Sequence, residues 1–435
     1  MLKNHNNNHQ FNIDKFYKNY LKGPRIFKNR DALDSSYIPE ELPHRDSQIK
    51  NIAEKTACAL FGDIPPNFLC YGMTGTGKTA TIRYVSQKLA QQASEIKPWW
   101  IYINCNIVST PYRILAHIYN TISRQEKIPP TGLPKDIIFK KLLGILDSKV
   151  RNSICFLVLD EIDILVDKKG GNEILYDLTR LNENLDNSRT SIIGISNKLK
   201  FRESLDPRIL SSLGEEHIVF PSYDASELRD ILKDRAKIAF QENVLKQDVI
   251  PLCAALAAKE HGDARKALQL FRKAGELAER DQNKIITGKH VEKAQEDLEN
   301  DHIIEYIKGM PLQAQLILAS IYLISRFNSE HIIISGDIYD VHSEIRGLIP
   351  GVRQLTKRRI SDYINELSLA GIISADVKSM GHYGRTKIIK FDIGMELIEK
   401  VLADIDKIKG IMNYKPVFLQ TDKVKLKNNI FKKLI

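Results

Sequence analysis

No stretch of this chain is long and apolar enough to span a bilayer, which takes about 20 consecutive apolar residues, so no membrane partner is expected. A secretory leader is not expected either. The first twelve residues are polar and rich in Asn and His (Asn6-Asn7-Asn8-His9). They read as a disordered tail, and their histidines are too few and scattered for a metal-binding tract. Cysteine is scarce: Cys58, Cys70, Cys105, Cys155 and Cys253 show no C-x-x-C spacing and no even framework. Most fall inside apolar strand or helix patterns, as small buried hydrophobes in a reducing compartment do. A catalytic cysteine is not supported, and a cytoplasmic, nucleoid-associated protein is expected.

What is present is enough for proper cores. Of the 435 residues, 43% are hydrophobic, and at roughly 150 residues per domain the length suggests about three domains. The net charge of +10 and pI near 9.1 are compatible with nucleic acid. Many basic proteins bind none, so where the charge sits matters more than its sum.

Gly72-Met73-Thr74-Gly75-Thr76-Gly77-Lys78-Thr79 fits the phosphate-loop pattern G-x-x-x-x-G-K-[ST]. An apolar run, Phe68 to Tyr71, precedes it, and a helical pattern from Ala80 to Ala93 follows. A strand that turns sharply into a helix leaves backbone N–H groups pointing into one concavity, which attracts a polyphosphate. Gly75, Thr76, Gly77, Lys78, Thr79 and Ala80 are therefore candidates for binding ATP or ADP. Lys78 can reach the β- and γ-phosphates, and the Thr79 hydroxyl can ligate Mg²⁺.

Ser153 to Leu159 is a continuous apolar run, as a strand buried on both faces should be. It ends in Asp160-Glu161-Ile162-Asp163. Carboxylates at the carboxyl end of a parallel strand sit where α/β sheets bind ligands. Asp160 is expected to hold Mg²⁺ and Glu161 to deprotonate the attacking water. A further strand, Thr190 to Asn197, ends in an amide that would stand beside Glu161 if its strand lies between those of the loop and the carboxylates. In Asp206-Pro207-Arg208, Asp206 is expected as N-cap and Pro207 at the first helical position. Arg208 is then either a solvated surface cation or a group that reaches a neighbour's γ-phosphate.

From Pro221 the pattern becomes helical, opening on the capping box Asp224-Ala225-Ser226-Glu227. Arg265 falls in the first turn of a later helix, where the dipole disfavours a cation, so an anion nearby, such as a nucleotide phosphate, would compensate. From Asp301 helices are expected at 311–326, 336–347 and 356–370, with strands at 372–378 and 385–391 joined by a turn holding Gly381 and Gly384. Those are the parts of a winged helix. Ile360, Tyr363, Ile364 and Leu367 repeat at helical spacing and would face the core. Arg353, Lys357, Arg358 and Arg359 cluster at the start of that helix, the part that enters the major groove in helix-turn-helix docking. His382, Tyr383, Arg385 and Lys387 lie in or beside the wing, which can grip an adjacent groove or backbone.

In order, the phosphate loop, Asp-Glu-Ile-Asp, the strand ending in Asn, Asp-Pro-Arg, and Gly262-Asp263-Ala264-Arg265-Lys266-Ala267-Leu268 resemble the archaeal origin-recognition and cell-division-control initiators, which are AAA+ ATPases. The likeness extends to Tyr37-Ile38-Pro39 and Leu42-Pro43-His44-Arg45 and covers the chain from about residue 26 to about 400. It implies an α/β P-loop NTPase module with a parallel sheet, an α-helical lid and a C-terminal winged helix. The division expected is a tail at 1–12, the nucleotide domain at 13–220, the lid at 221–300, the winged helix at 301–410 and a basic tail at 411–435. By the resemblance, Asn197 and Arg265 are the two sensors and Arg208 a finger acting in trans. Tyr223 and Arg235 contact the nucleotide, and Ile38, His44 and Arg45 line the adenine. Thr131, Gly132 and Leu133 resemble an insertion that touches origin DNA.

The expected function is an ATP-dependent replication initiator. It binds origin duplex, helps recruit or load a replicative helicase, and hydrolyses ATP slowly as a switch. The resemblance also allows self-association, or pairing with a paralogue, on DNA. A different reading is an AAA+ or signalling NTPase that acts on protein, with the winged helix as an interaction module. Another is a DNA-bound regulator that merely holds ADP. Salt-sensitive duplex binding separates the first from the second, and single-turnover hydrolysis separates it from the third.

Overall fold

A computed structural model describes residues 13, 23–94, 96–123, 126–129, 131–213, 216–328, 331–379 and 385–420. The chain forms two compact units, residues 1–294 and 295–435.

The first unit is built on a parallel sheet of β1 (Phe68–Tyr71), β2 (Trp99–Asn104), β3 (Ile154–Asp160), β4 (Arg189–Ser196) and β5 (Glu216–Val219), in the order β2-β3-β4-β1-β5. Its β3 explains why the run from 154 is apolar without alternation. Cys155, Leu157 and Leu159 enter one core, with α3 (Pro111–Ile122), α4 (Lys135–Lys149), α5 (Ile162–Val166), α6 (Gly171–Thr179) and α7 (Pro207–Leu213). Ile154, Phe156 and Val158 enter the other, against α1 (Asp46–Thr56) and α2 (Lys78–Gln92). Both faces are covered, as parallel sheets require.

Because β4 lies between β3 and β1, three chain segments leave the same sheet edge side by side. They are the glycine loop after Tyr71, Asn197 after β4, and Glu161 after β3. The β4 strand stops at Ser196, one residue short of the expected Asn197. Helices α5 and α6, five and nine residues long, are too short to announce themselves by periodicity.

Three helices follow: α8 (Ala225–Ala239), α9 (Val249–Lys259) and α10 (Ala264–Arg280). The start of α8 is fixed by the capping box, with Asp224 Oδ1 accepting from Glu227 N at 2.8 Å and Glu227 Oε2 accepting from Asp224 N at 3.0 Å. Such a cap is worth about 1 kcal/mol. The arm before α1 is sewn onto these helices. Ile26 N and Phe27 N donate to Glu279 Oε1, at 2.9 and 3.2 Å, while Arg30 pairs with the same carboxylate. The Phe27 ring stacks near Phe240, with centroids 4.9 Å apart.

In the second unit, α11 (Gly288–Gly309), whose first turns belong to the preceding unit, leads into α12 (Leu312–Phe327), β6 (Ile333–Ile334), α13 (Ser335–Arg346) and α14 (Lys357–Leu369). Then come β7 (Ile373–Ser379), β8 (Arg385–Phe391), α15 (Met395–Ala403) and α16 (Asp406–Lys409). The sheet is antiparallel, in the order β6-β8-β7. On α14, Ile360, Tyr363, Ile364 and Leu367 are buried in the core, and Thr356 caps it by accepting from Arg359 N. Gly371 takes a φ of +70° just beyond the helix, where a left-handed residue ends it. The expected three helices and hairpin are thus joined by β6, α15 and α16. The glycine-bearing turn at 381 and 384 lies outside the described residues.

Candidate functional site

Gly75 and Gly77 adopt φ of +67° and +87°, conformations that a Cβ resists, and Lys78 opens α2. The Lys78 ammonium is buried beneath the loop, donating to Gly72 O at 2.9 Å and Met73 O at 2.7 Å. Burial, followed by the positive charge of Arg265, pushes its pKa down to about 8. Thr76 is buried and ties the loop through Oγ1 to Met73 O. Thr79 and Ala80 sit in the first turn of α2, where the leading N–H groups have no intrahelical acceptor.

The hydroxyl of Thr79 donates to Asp160 Oδ2 at 2.8 Å, joining loop and strand end. Asp160 Oδ1 accepts from the backbone N–H of Glu161. Glu161 is left-handed, with φ of +55°, and its Oε2 is buried with no hydrogen-bond partner. Its pKa is raised, first by burial and then by Asp160 and Asp163. Asp163 has a different job: it accepts from Ser196 Oγ at 3.1 Å and Asn197 N at 3.4 Å, fixing where β4 ends beside β3. The Asp-Glu-Ile-Asp run contained this residue, but sequence reasoning gave it no role.

These groups fit a magnesium nucleotide. A hydroxyl and a carboxylate oxygen 2.8 Å apart are the hard donors that the ion takes, so Thr79 and Asp160 would hold it. The unsatisfied Glu161 oxygen suits a water.

A cavity of about 680 Å³ opens beside the loop, within the first unit. The arm contributes Ser35 to Pro43, including Ile38. The loop and α2 contribute Gly75, Gly77, Thr79 and Ala80. The helical lid contributes Tyr223, Arg235, Ala264 and Arg265. Arg235 is anchored by Ala32 O and Tyr37 O, with its guanidinium over the Tyr37 ring at 4.8 Å. The loop also meets the lid directly, Ala264 N donating to Gly75 O at 3.2 Å. Within the lid, Gly262 packs so closely on the Tyr223 backbone that a Cβ there would overlap it. Asp263, which caps α10 through Arg265 N at 2.8 Å, was quoted in the motif without a task. Arg265 itself is exposed to the cavity, close enough to act electrostatically on Lys78 and Glu161.

His44 and Arg45 are not among the cavity residues. Arg45, 1% exposed, donates to Thr76 O at 2.9 Å, His44 O at 2.8 Å and Pro221 O at 2.8 Å, and stacks on Tyr223 at 3.7 Å. It binds arm, loop and lid junction together from behind. His44 turns outward to Asp230, 3.3 Å away. Sequence spacing could not separate these two from Ile38, because facing the cavity or its back is decided by the chain's turn at His44, with φ of +61°.

Arg208 stands on the surface at 69% exposure. Its guanidinium is held by Asp206, with Nε and Nη2 at 3.1 and 2.9 Å from the two oxygens, and lies 5.1 Å from the Tyr176 ring centre. Asp206 also caps α7 by accepting from Arg208 N.

Two exposed basic or loop surfaces complete the set. Tyr112 pins the 126–134 connector, donating to Pro129 O and accepting from Leu133 N. Leu133 packs on the core, and Thr131 and Gly132 stand exposed at the tip. In the second unit, Arg353, Lys357, Arg358 and Arg359 are exposed. Lys357 lies over Tyr339 and Arg359 over Tyr363. Lys387 differs: its ammonium lies on α14, 2.6 Å from Asn365 Oδ1 and 2.8 Å from Ser361 Oγ. His382, Tyr383 and the Arg385 side chain lie outside the described residues.

Comparison with known proteins agrees across the chain. The AAA domain family matches residues 65–205, the Cdc6 AAA+ ATPase-type lid domain 229–296, and the CDC6 C-terminal winged helix domain 305–401. An ORC1-type DNA replication protein of Pyrococcus furiosus is 49% identical over 398 residues, covering 91% of this chain and 94% of that one. ORC1-type DNA replication protein 1 of Methanosarcina acetivorans is 44% identical over 407 residues, covering 93% and 96%. Among solved structures, the Aeropyrum pernix ORC1 protein in complex with DNA is similar with a TM-score of 0.74 and 41% identity, covering 89% of this chain and 99% of that one. With a parallel-sheet AAA+ module, a lid and a winged helix all accounted for, the chain belongs to the ORC1-type DNA replication proteins, the archaeal ORC/Cdc6 family of AAA+ ATPases.

Proposed function

We propose that this chain is a nucleotide-switched replication initiator that binds origin duplex and, in its ATP state, helps recruit or load a replicative helicase. In this reading residues 13–220 hold the nucleotide, 221–300 form the lid, 301–410 grip DNA, and the tip at Thr131 and Gly132 adds a second DNA contact. The observation that supports it most is the linkage of the cavity to the Asp160–Glu161 pair, through the Thr79–Asp160 hydrogen bond on one side and Arg265 on the other.

Lys78 and the loop N–H groups bind the phosphates, and Tyr223, Arg235 and Ile38 enclose the rest of the nucleotide. Thr79 and Asp160 would hold magnesium, which would supply positive charge against the phosphates. Glu161 receives the proton of the attacking water at its unpartnered oxygen, Asn197 orients that water, and Arg265 senses the γ-phosphate from the lid. Arg208 serves a neighbouring copy. With one general base and no assembled finger in a lone chain, turnover is slow and acts as a switch. The exposed cations of α14 supply phosphate contacts, in keeping with the Aeropyrum pernix relative solved with DNA.

The test is Glu161→Gln. ATP affinity is expected to persist while single-turnover hydrolysis with Mg²⁺ falls by about 10²–10⁴, the usual contribution of a general base. Unchanged hydrolysis removes Glu161 from the mechanism. In parallel, an absence of salt-sensitive duplex binding would favour an NTPase that acts on protein.

A further inference from the structure

Four cations line the cavity beside the phosphate loop: Arg83 of α2, Arg235 and Lys237 of α8, and Arg265 of α10. Arg235 donates to Ala32 O and Tyr37 O, and Lys237 pairs with Asp234 at 2.8 Å. Arg83 is different. Its Nε is buried with nothing to donate to, and among the described residues its guanidinium has no hydrogen-bond or ion-pair partner. The carboxylates that share the cavity are Glu40, Glu41 and Asp234. Asp234 takes Lys237, Glu41 acts on that same lysine, and among the described residues none of the three pairs with Arg83.

What holds Arg83 is an aromatic face. Its guanidinium carbon lies 5.1 Å from the centre of the Tyr102 ring on β2. That ring is itself fixed: Tyr102 Oη donates to Ser86 Oγ at 2.9 Å, and Ser86 Oγ donates to Arg83 O at 2.8 Å. A stack of this kind orients a guanidinium through its flat face and engages none of its five N–H donors. A half-buried cation whose donors have no acceptor is unfavourable until an anion arrives.

Placement on α2 decides which part of a nucleotide it meets. Thr79 and Ala80 occupy the first turn, where the free N–H groups draw phosphate. Arg83 is four residues after Thr79 and three after Ala80, so the three share one helix face, and all three line the cavity. Long side chains on a helix lean toward its N-terminus and cover the preceding turn, which carries Arg83 toward the phosphates. Glu161, and Arg265 acting on it, mark the γ end, so the α2 side falls to the phosphates that ADP and ATP share.

We propose that Arg83 is a further nucleotide-binding residue, its guanidinium closing on those shared phosphates from the α2 side while Arg265 approaches from the lid. The planar fork takes phosphate oxygens in pairs, which a lysine ammonium does not. The proposal rests on the reading of this cavity as a nucleotide site.

The experiment uses the full chain, stripped of nucleotide, with Mg²⁺ present. A fluorescent ADP is titrated in, then displaced by ADP and, separately, by inorganic pyrophosphate. Arg83→Gln removes the charge and is expected to weaken ADP and pyrophosphate alike, by roughly tenfold or more, as loss of a charge-assisted hydrogen bond does. Arg83→Lys keeps the charge without the fork and is expected to recover part of that loss for both ligands. Melting temperatures of the nucleotide-free variants should match wild type, since Tyr102 stays tied to Ser86. Weakened ADP with unchanged pyrophosphate would move Arg83 to the nucleoside end and overturn the proposal. Wild-type affinity for both ligands in Arg83→Gln overturns it as well. Equal losses in the two variants, together with lowered melting temperatures, make Arg83 a packing residue and also overturn it. If the fluorescent ADP does not bind the wild type, the nucleotide reading of the cavity fails and the proposal falls with it.

Discussion

The carboxylate of Asp263, at the head of lid helix α10, lies directly against Gly75 of the phosphate loop, so closely that a Cβ at Gly75 would overlap Oδ1. The neighbouring Ala264 N–H donates to Gly75 O. One glycine is therefore where the lid rests on the loop.

Gly75→Ala is expected to disturb both. The left-handed φ of +67° alone costs a non-glycine residue about 1–2 kcal/mol, and the added methyl must displace Asp263 from its cap. Thermal unfolding should fall accordingly, and calorimetric titration with ADP should show affinity lowered at least tenfold. Wild-type affinity in the variant would mean that the lid and loop need not touch.

Lys78 gives a pH dependence. Its buried ammonium titrates near pH 8, whereas an exposed lysine does so near pH 10.4. Phosphate needs the charged form, so nucleotide affinity should fall as pH rises from about 8, by up to tenfold per unit. The stability of the nucleotide-free chain moves the other way. The folded state loses this proton earlier than the unfolded state, so this group adds stability as pH rises from about 8 toward its ordinary value. Titrations with ADP between pH 7 and pH 9.5 check the first. Lys78→Arg should flatten the curve, since arginine stays charged.

Arg208 predicts a dependence on concentration. It is exposed and already neutralised by Asp206, so a role at a neighbour's γ-phosphate needs a second copy to compete for it. Hydrolysis per subunit should then rise with protein concentration on DNA, and Arg208→Ala should remove that rise. An identical concentration dependence in the variant would leave Arg208 a surface cation.

Arg353→Ala, just before α14, and Arg358→Ala, in its first turn, test the exposed basic cluster there. Each phosphate contact removed should reduce the slope of log affinity against log salt by about 0.9. Anisotropy on one duplex across a salt series measures it. A parallel-shifted line of unchanged slope would mean that the residue touches something other than a phosphate.

Much of this arrangement was legible in the chain. The unalternating run into Asp160 marked a strand covered on both faces, and the buried stripe of α14 followed from the 360, 363, 364, 367 spacing. The short helices α5 and α6 and the two-residue β6 were not legible, because each is shorter than the stretch over which its periodicity would repeat often enough to show. Nor were the tasks of Asp163 and Asp263. A carboxylate that caps a helix or ties two strand ends looks, in sequence, like one that faces solvent.

By itself the sequence determined the glycine pattern of the loop, the carboxylates after β3, the order of nucleotide, lid and winged-helix segments, and the family, since these depend on residue type and local spacing. Only the tertiary structure decided that Arg45 faces away from the cavity while Arg235 lines it, that Asp263 rests on Gly75, and that Lys387 grips Asn365. The physical reason is that a guanidinium, carboxylate or ammonium takes its role from the acceptors and donors brought to it. Those partners lie 31 residues away for Arg45 and Thr76, and 22 for Lys387 and Asn365, beyond the reach of any local pattern.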